Sequence, residues 1–435
     1  MNKQSFERSH VRQIRIHVMP TDRFKTFSIS LFAGTPLREQ TVTPTALLPF
    51  VLRRGTKRYP LTKQFRERLD DLYGAGFGFD IYKRGDYQMV QFKMDTIHQD
   101  YVHAEKDDLL RASLTFLGEV LCSPVIENDI LKTQYVQSEK NTLTKRIESI
   151  INDKIRYAAE RCVEEMCKDE PYRLHPLGQI ERIPEIDAES LTSHYHSWLN
   201  EAVMDLYVVG NTTMEEVTKI VEEAFPLSRS SSPGYESHSH NVQAKDVQTV
   251  VERLDVTQGK LNLGLRSKIR YADQDYPAAL MYNGVLGAYP HSKLFINVRE
   301  KESLAYYAAS RYDGHKGIIT IQSGIEIENY EKALRIIQKQ LDSMKNGEIT
   351  DLELAQTKAM IRNQLLELND SAFEMIGYDF NGVLSGVHRD TDAFIEMIEQ
   401  IDRGKVQQAA EQVELDTVYF LRNEKEVLAD ADKNV

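Results

Sequence analysis

The sequence predicts an α+β chain of two domains that share one fold. At 435 residues the chain is too long for a single ordinary core. Strands and helices follow in the same mixed order in both halves, which indicates an internal duplication. This order is typical of an antiparallel-rich mixed sheet covered by helices. We therefore predict an N-terminal domain over residues 1–227, a polar linker over 228–242 and a C-terminal domain over 243–435.

The amino-acid composition and the net charge exclude several classes of function. Hydrophobic residues make up 41% and charged residues 28% of the chain, as in soluble globular proteins. A formal net charge of -12 argues against nucleic acid and anionic membranes as partners. The N-terminus has no apolar signal-peptide core, and no stretch approaches the ~20 apolar residues of a spanning helix. We expect a cytoplasmic protein whose unpatterned Cys122, Cys162 and Cys167 are reduced thiols.

The first half begins with a clear strand and helix. Residues 26–32 alternate apolar and polar side chains, which predicts a strand. Thr43 followed by Pro44 is typical of a helix start, and Gly55 is a natural residue just after its end. Pro49 lacks an N–H and disfavours an unbroken helix at that point.

The remaining elements are predicted from periodicity and turn residues. In the first half these are a helix after Pro60, strands 77–82 and 87–94, helices 107–121, 127–166, 189–199 and 214–225, and a strand ending at 211. In the second half they are strands 260–265, 305–311 and 318–325, and helices 276–287, 330–344 and 352–368. His238 and His240 in the linker are expected to be solvated, and His194 and His196 would not face one metal from a helix.

The strand, the helix with its apolar run and the Arg54-Gly-Thr56 that follows resemble the start of the M16 family of zinc peptidases, which includes insulinase, pitrilysin and mitochondrial processing peptidase. The resemblance implies two domains arranged as a clam shell around a peptide chamber. Active members carry His-x-x-Glu-His in this helix, where two histidines bind zinc and the Glu polarises water. Counted back from Gly55, the matching positions are Ala46, Pro49 and Phe50, none of which binds zinc or moves a proton.

The third zinc ligand of the family is also missing. It is a Glu that directly precedes an Ile or Met on a later helix. Glu139-Lys140, Ile147 and Asp153 match the surrounding pattern, but Arg146 stands before Ile147. A cation at this position would repel Zn²⁺. We therefore expect no metal or other cofactor bound by this chain.

The stretch from Ser292 to Tyr307, SKLFINVREKESLAYY, resembles the family's second-half motif, and only its Gly is changed, to Ser303. In active relatives the Arg and the Tyr of this motif reach the zinc site from the facing domain, hold the substrate and stabilise the oxyanion. The corresponding residues here are Arg299 and Tyr306. A purely structural role for both, at a helix end and a strand start, is the alternative.

The resemblance implies one subunit of a heterodimer whose partner is a zinc-bearing M16 homologue acting on peptides. The chain also resembles the metal-free M16 proteins of Gram-positive bacteria, some of which are named for modification of elongation factor P. The alternative is a pseudopeptidase that binds or scaffolds a peptide or protein. A peptidase acting alone would need another metal or nucleophile, and the sequence offers none.

Overall fold

The structure is a computed structural model that describes residues 5–102, 108–227, 234–236, 246–302 and 304–423. Most of the predicted linker lies outside the described residues, and so do His238, His240 and Ser303. The chain forms two compact units, and neither is continuous in sequence. Residues 1–148, 174–236 and 369–381 form the first unit. Residues 149–173, 237–368 and 382–435 form the second, and the domain boundaries inferred from the sequence stay a prediction.

Thirteen strands occur in the described parts of the chain. They are β1 Glu7–Val11, β2 Ile14–Pro20, β3 Thr26–Pro36, β4 Gly76–Arg84, β5 Tyr87–Ile97, β6 Ile126–Glu127, β7 Ile130–Leu131, β8 Val203–Gly210, β9 Gln248–Leu254, β10 Gly259–Ser267, β11 Ala305–Asp313, β12 Ile318–Ile325 and β13 Val413–Asn423.

The α-helices of the same described ranges also number thirteen. They are α1 Val42–Leu52, α2 Thr62–Asp71, α3 Leu109–Cys122, α4 Thr133–Asn152, α5 Lys154–Met166, α6 Ala188–Glu201, α7 Met214–Ala224, α8 Tyr276–Asn283, α9 Tyr330–Lys345, α10 Asp351–Glu367, α11 Ala372–Ser385, α12 Thr391–Glu399 and α13 Arg403–Glu411. Two π-helical segments, Gly284–Ala288 and Phe295–Lys301, follow α8.

The two sheets share one topology over five strands, and the first sheet has β1 as an additional edge strand. The first sheet has the order β1-β2-β8-β3-β5-β4, and the second, read in the same direction, has the order β9-β13-β10-β12-β11. In each sheet one pair is parallel, β2 with β8 and β9 with β13, and the other neighbours are antiparallel. This match confirms the prediction of two halves that share one α+β fold with antiparallel-rich sheets.

Each sheet buries one apolar face under helices. In the first unit Ile29 and Leu31 of β3 and Phe92 of β5 are fully buried, and α1 and α3 pack on β5. In the second unit Leu261 and Leu263 of β10 lie on the corresponding face, which α9 covers. The period-2 alternation of these strands therefore defines the core side of each sheet.

Two helix predictions are wrong in detail. Helix α1 continues through Pro49 to Leu52, because it is buried on nearly all sides and packing outweighs one missing backbone hydrogen bond. The single helix expected over residues 127–166 is a short hairpin, β6–β7, followed by two helices. Asp153 separates these helices, since its side chain accepts from the Arg156 N–H at 3.1 Å and caps the start of α5.

A buried carboxylate joins several elements of the second unit. Glu170 has a side chain 2% exposed and contacts the Arg266 guanidinium and the Lys316 ammonium, each at 2.8 Å. Arg266 also binds Asp416 of β13 at 2.7 Å. The pair of cations compensates the cost of burying Glu170, so its removal would take a buried counter-ion away from both Arg266 and Lys316.

We expect Glu170→Ala to lower the free energy of unfolding by about 3–5 kcal/mol, because Arg266 and Lys316 lose their buried counter-ion. Chemical denaturation of the purified chain, followed by circular dichroism, measures the loss. The matched control is Asp351→Ala. It removes a carboxylate whose side chain is 95% exposed and which forms an ion pair with Arg403. An equal and small effect of both substitutions would contradict the assigned role of Glu170.

Candidate functional site

The positions that match the family's metal ligands lie inside a buried helix. Ala46 is 0% exposed, Phe50 is 2% exposed, and Pro49 between them is buried as well. All three side chains are closely packed, because α1 contacts both α6 and β5. Gly55 permits the chain to turn after the helix, because a Cβ there would lie 2.7 Å from the Tyr59 carbonyl oxygen.

Phe50 and Arg146 come together in the first unit, although they are far apart in sequence. The Arg146 guanidinium carbon lies 5.6 Å from the centroid of the Phe50 ring, and Arg53 approaches the same ring at 5.6 Å. The faces of aromatic rings attract cations at such distances. The aromatic ring of Phe50 thus stands at a position that matches a histidine, and the guanidinium group of Arg146 stands at the position of the third ligand. The Arg53 guanidinium group lies beside the same ring.

These side chains do not fit a zinc ion, which takes imidazole, thiolate or carboxylate ligands. Glu139, a carboxylate near Arg146 in sequence, is bound to Arg54 at 3.3 Å. Over the described ranges, no group of three or more His, Cys, Asp or Glu residues is arranged to hold a metal ion. No reaction step through a metal on this chain is therefore derived.

His194 of α6 contacts α1 directly beside Ala46. Its Nε2 lies 2.8 Å from the Thr45 hydroxyl oxygen. Burial lowers the pKa of His194 to about 4, so the imidazole is neutral near pH 7. His196 is exposed on the same helix, as its spacing predicts. The neutral His194 of α6 thus packs against α1 and forms a hydrogen bond with it.

The second candidate set belongs to the other unit. Arg299 lies in the π-helical segment Phe295–Lys301, and its guanidinium carbon is 4.6 Å from the centroid of the Phe295 ring. Val298, next to it, is fully buried and anchors the segment, whereas Arg299 is exposed. Segments of π-helix are found frequently at functional sites. The buried Val298 thus holds the segment in place, and the Arg299 cation is exposed to solvent.

Tyr306 is 56% exposed on β11, and its hydroxyl donates to Oε1 of Glu326 at 2.5 Å. This hydrogen bond raises the pKa of Tyr306, so the phenol keeps its proton and remains a donor. Arg299 and Tyr306 thus have different partners, Phe295 and Glu326. Sequence reasoning missed both partners.

Both partners had a usable signal in the sequence. Phe295 precedes Arg299 by one helical turn, a spacing at which side chains meet. Glu326 directly follows Ile325, which pairs with Ala305 next to Tyr306, and the register of the β11–β12 hairpin shifts at this point, so the contact with Tyr306 is a diagonal one. Whether Arg299 and Tyr306 act on a substrate stays a prediction.

The fold agrees with comparisons to known proteins. The model of the "Peptidase M16 inactive domain" family matches residues 185–361. The chain is 40% identical over 406 residues to the "Probable inactive metalloprotease YmfF" of Bacillus subtilis, covering 93% of this chain and 95% of that protein. It is 22% identical to the "Uncharacterized zinc protease YmxG" of the same bacterium, over 92% of this chain and 93% of that protein.

A solved structure agrees with the sequence comparisons. The crystal structure of a conserved protein from Enterococcus faecalis V583 superposes with a TM-score of 0.89 at 30% identity, over 97% of this chain and 99% of that one. Together, the duplicated α+β topology and the apolar helix α1 define a metallopeptidase homologue of the inactive type. The chain belongs to the M16 peptidase family.

Within the described residues, every helix is too short or too polar to cross a bilayer.

The purified chain should bind only substoichiometric zinc, because α1 presents Ala46 and Phe50 and the later helix presents Arg146 where ligands are needed. Metal analysis after purification in zinc-supplemented medium measures the content. One tightly held zinc per chain would contradict the degenerate site. Peptidase activity that is lost on chelation would contradict it as well.

Stability should decrease as the pH falls from about 6.5 to about 4, because the unfolded chain takes up a proton at His194 that the folded chain excludes. We expect this residue to account for roughly 2 kcal/mol of the loss. Denaturation of wild type and His194→Gln across this range measures the difference, which should shrink toward low pH. His196→Gln, on the exposed side of α6, is the control, and parallel pH curves for wild type and His194→Gln would refute the assignment.

Proposed function

We propose that the chain is the non-catalytic subunit of a heterodimeric M16-type metallopeptidase and lends Arg299 and Tyr306 to the site of a zinc-bearing homologue. The observation that carries the proposal is a contrast between two sets of positions. Ala46 and Phe50 are apolar and buried, whereas Arg299 and Tyr306 are exposed donors held on fixed backbone. The chain thus offers hydrogen-bond donors without a metal.

The chemistry of peptide hydrolysis gives these donors a role. Attack of water on a peptide bond places negative charge on the carbonyl oxygen, and donors aimed at that oxygen lower the barrier. Arg299 is always protonated and offers several N–H groups, and Tyr306 offers one O–H. The zinc ion and the carboxylate that activates water belong to the partner in this proposal. The peptide substrate would lie in a chamber that both subunits form.

The relatives support the pairing. Bacillus subtilis holds both a probable inactive metalloprotease and a zinc protease that resemble this chain over nearly its whole length. A heterodimer of one such chain with the other would bring a metal and the two donors into one complex. A cytoplasmic location is part of the same proposal.

A second candidate function is a pseudopeptidase that binds or scaffolds a peptide or protein. The contact between the Tyr306 hydroxyl and Glu326 favours it, since the donor already has a partner. For the subunit mechanism, Tyr306 must exchange Glu326 for the substrate oxygen. A link to the modification of elongation factor P, which the sequence resemblance implies, would belong to this second function.

In a complex with the zinc-bearing homologue of the same genome, Arg299→Ala and Tyr306→Phe should each lower the turnover of a peptide substrate by roughly 10²–10³. Both side chains are exposed, so thermal stability and pairing should change little. Co-expression of the tagged pair, size-exclusion chromatography and hydrolysis of a fluorogenic peptide mixture measure these quantities.

The matched control for Arg299 is Lys301→Ala, which removes an exposed cation from the same π-helical segment and should leave turnover unchanged. Full-rate hydrolysis by an assembled Arg299→Ala, Tyr306→Phe double variant would refute the shared site. Recovery of the chain only as a monomer or homodimer would favour the scaffold.

A further inference from the structure

A tyrosine of the linker region inserts into the polar face of the first unit's sheet. Tyr235 lies between exposed Gly234 and Glu236 and belongs to no helix or strand. Its hydroxyl donates to Oδ2 of Asp205 at 3.0 Å, and the Arg15 guanidinium carbon lies 4.9 Å from the centroid of its ring. The side chain therefore anchors an otherwise exposed segment.

The walls of this site fit an aromatic ring. The rings of Tyr87 and Phe380 meet the Tyr235 ring edge-on, with centroids at 5.1 Å and 5.9 Å. Gly34 provides the floor, since a Cβ there would lie 2.7 Å from Cε1 of Tyr235. Edge-to-face contacts of this kind are favourable for aromatic pairs. The shape selects a flat ring in one orientation.

The end of the site selects a hydroxyl. The Asp205 side chain is 0% exposed, and Arg15 grips both of its oxygens at 2.8 Å and 2.6 Å, while His17 Nε2 lies 2.8 Å from Oδ1. Burial alone would raise the pKa of Asp205, but the hydrogen bond from His17 and the charge of Arg15 outweigh it and lower the pKa. The carboxylate is thus fixed and ionised by the strands themselves, and Oδ2 accepts one further donor.

We propose that this site is a recognition site for the tyrosine side chain of a peptide ligand, and that Tyr235 occupies it in cis. The ligand class rests on the proposed function, because both candidate functions involve peptides, whereas the site itself stands on the first unit's geometry. The tyrosine of a peptide ligand would place its own ring and hydroxyl where those of Tyr235 lie. Release of Tyr235 breaks no strand or helix, because the residue belongs to neither, but it also loosens the hydrogen bond that the Glu236 N–H donates to the Tyr87 hydroxyl at 2.8 Å.

Competition by Tyr235 sets the expected affinities. A residue tethered to its own site has a high effective concentration, so the wild-type site is mostly filled and its apparent affinity for an outside peptide is reduced. Tyr235→Ala vacates the site. The probe is the acetylated and amidated peptide SSPGYESHS, which copies residues 231–239. We expect the variant to bind it at least about tenfold more tightly than wild type.

The hydroxyl provides the specificity test. The same peptide with Phe in place of Tyr should bind to Tyr235→Ala about tenfold more weakly, because it offers no donor to Asp205. The small probes 4-methylphenol and toluene should show the same preference. Adding Asp205→Asn to Tyr235→Ala should weaken the preference, because a neutral amide oxygen accepts a weaker hydrogen bond than a carboxylate. Circular dichroism with thermal unfolding checks that each variant is folded.

Tyr235→Phe keeps the ring and loses only the hydroxyl, so it tests the proposal even if Tyr235→Ala does not fold. Its affinity for the tyrosine peptide should lie between those of wild type and Tyr235→Ala. The proposal is overturned if folded variants bind no tyrosine peptide, bind it no better than wild type, or bind the Tyr and Phe peptides equally. These measurements use the chain alone, so the result is independent of pairing with a zinc-bearing subunit and of Arg299 and Tyr306.

Discussion

The buried carboxylate of Asp205 is the interaction on which the polar face of the first unit depends. Parallel pairing of β2 with β8 sets Arg15 directly beside Asp205, and His17 lies two residues further along β2. His17 in turn accepts from Arg8, which binds Asp379 at 2.7 Å. One fully desolvated charge thus connects three strands to residues 369–381, a segment far away in sequence. Such a charge is tolerable only when every partner is present.

The second unit also contains a buried carboxylate whose charge is compensated by cations. Glu170 is buried between Arg266 and Lys316, and it belongs to the segment 149–173, which precedes the rest of that unit in sequence. In each unit, an ion pair helps to hold a segment that is distant in sequence. Glu170 itself binds Arg266 and Lys316, whereas Asp379 binds Arg8, which reaches Asp205 through His17. Apolar contacts add to both, as in the stacking of Phe380 on Phe32 at 3.9 Å in the first unit. Each unit therefore contains a buried carboxylate compensated by cations, but the contacts to the distant segment differ between the units.

Local patterns predict most of the elements but not these connections. Strands such as β3 and β10 follow from their alternation, and the hairpin β4–β5 follows from its Arg84-Gly-Asp86 turn. The assignment of residues 369–381 to the first unit has no local signal, because contacts such as that between Phe380 and Phe32 decide it. At the candidate site, matching positions to a family motif identifies Phe50 and Arg146, which the fold brings together. It does not reveal Tyr235, whose role rests on a contact with Asp205 across the chain.

The packing of α1 also explains why the metal site cannot be restored by a few substitutions. A histidine at position 46 would need space and a hydrogen-bond partner where Ala46 is 0% exposed. A histidine in place of Phe50 would remove the ring that Arg53 and Arg146 approach. Arg299 and Tyr306 stand in the opposite situation, since both are exposed and can change without disturbing a core. The helix is therefore built for packing, whereas the exposed positions that tolerate substitution, Arg299 and Tyr306, lie in the second unit.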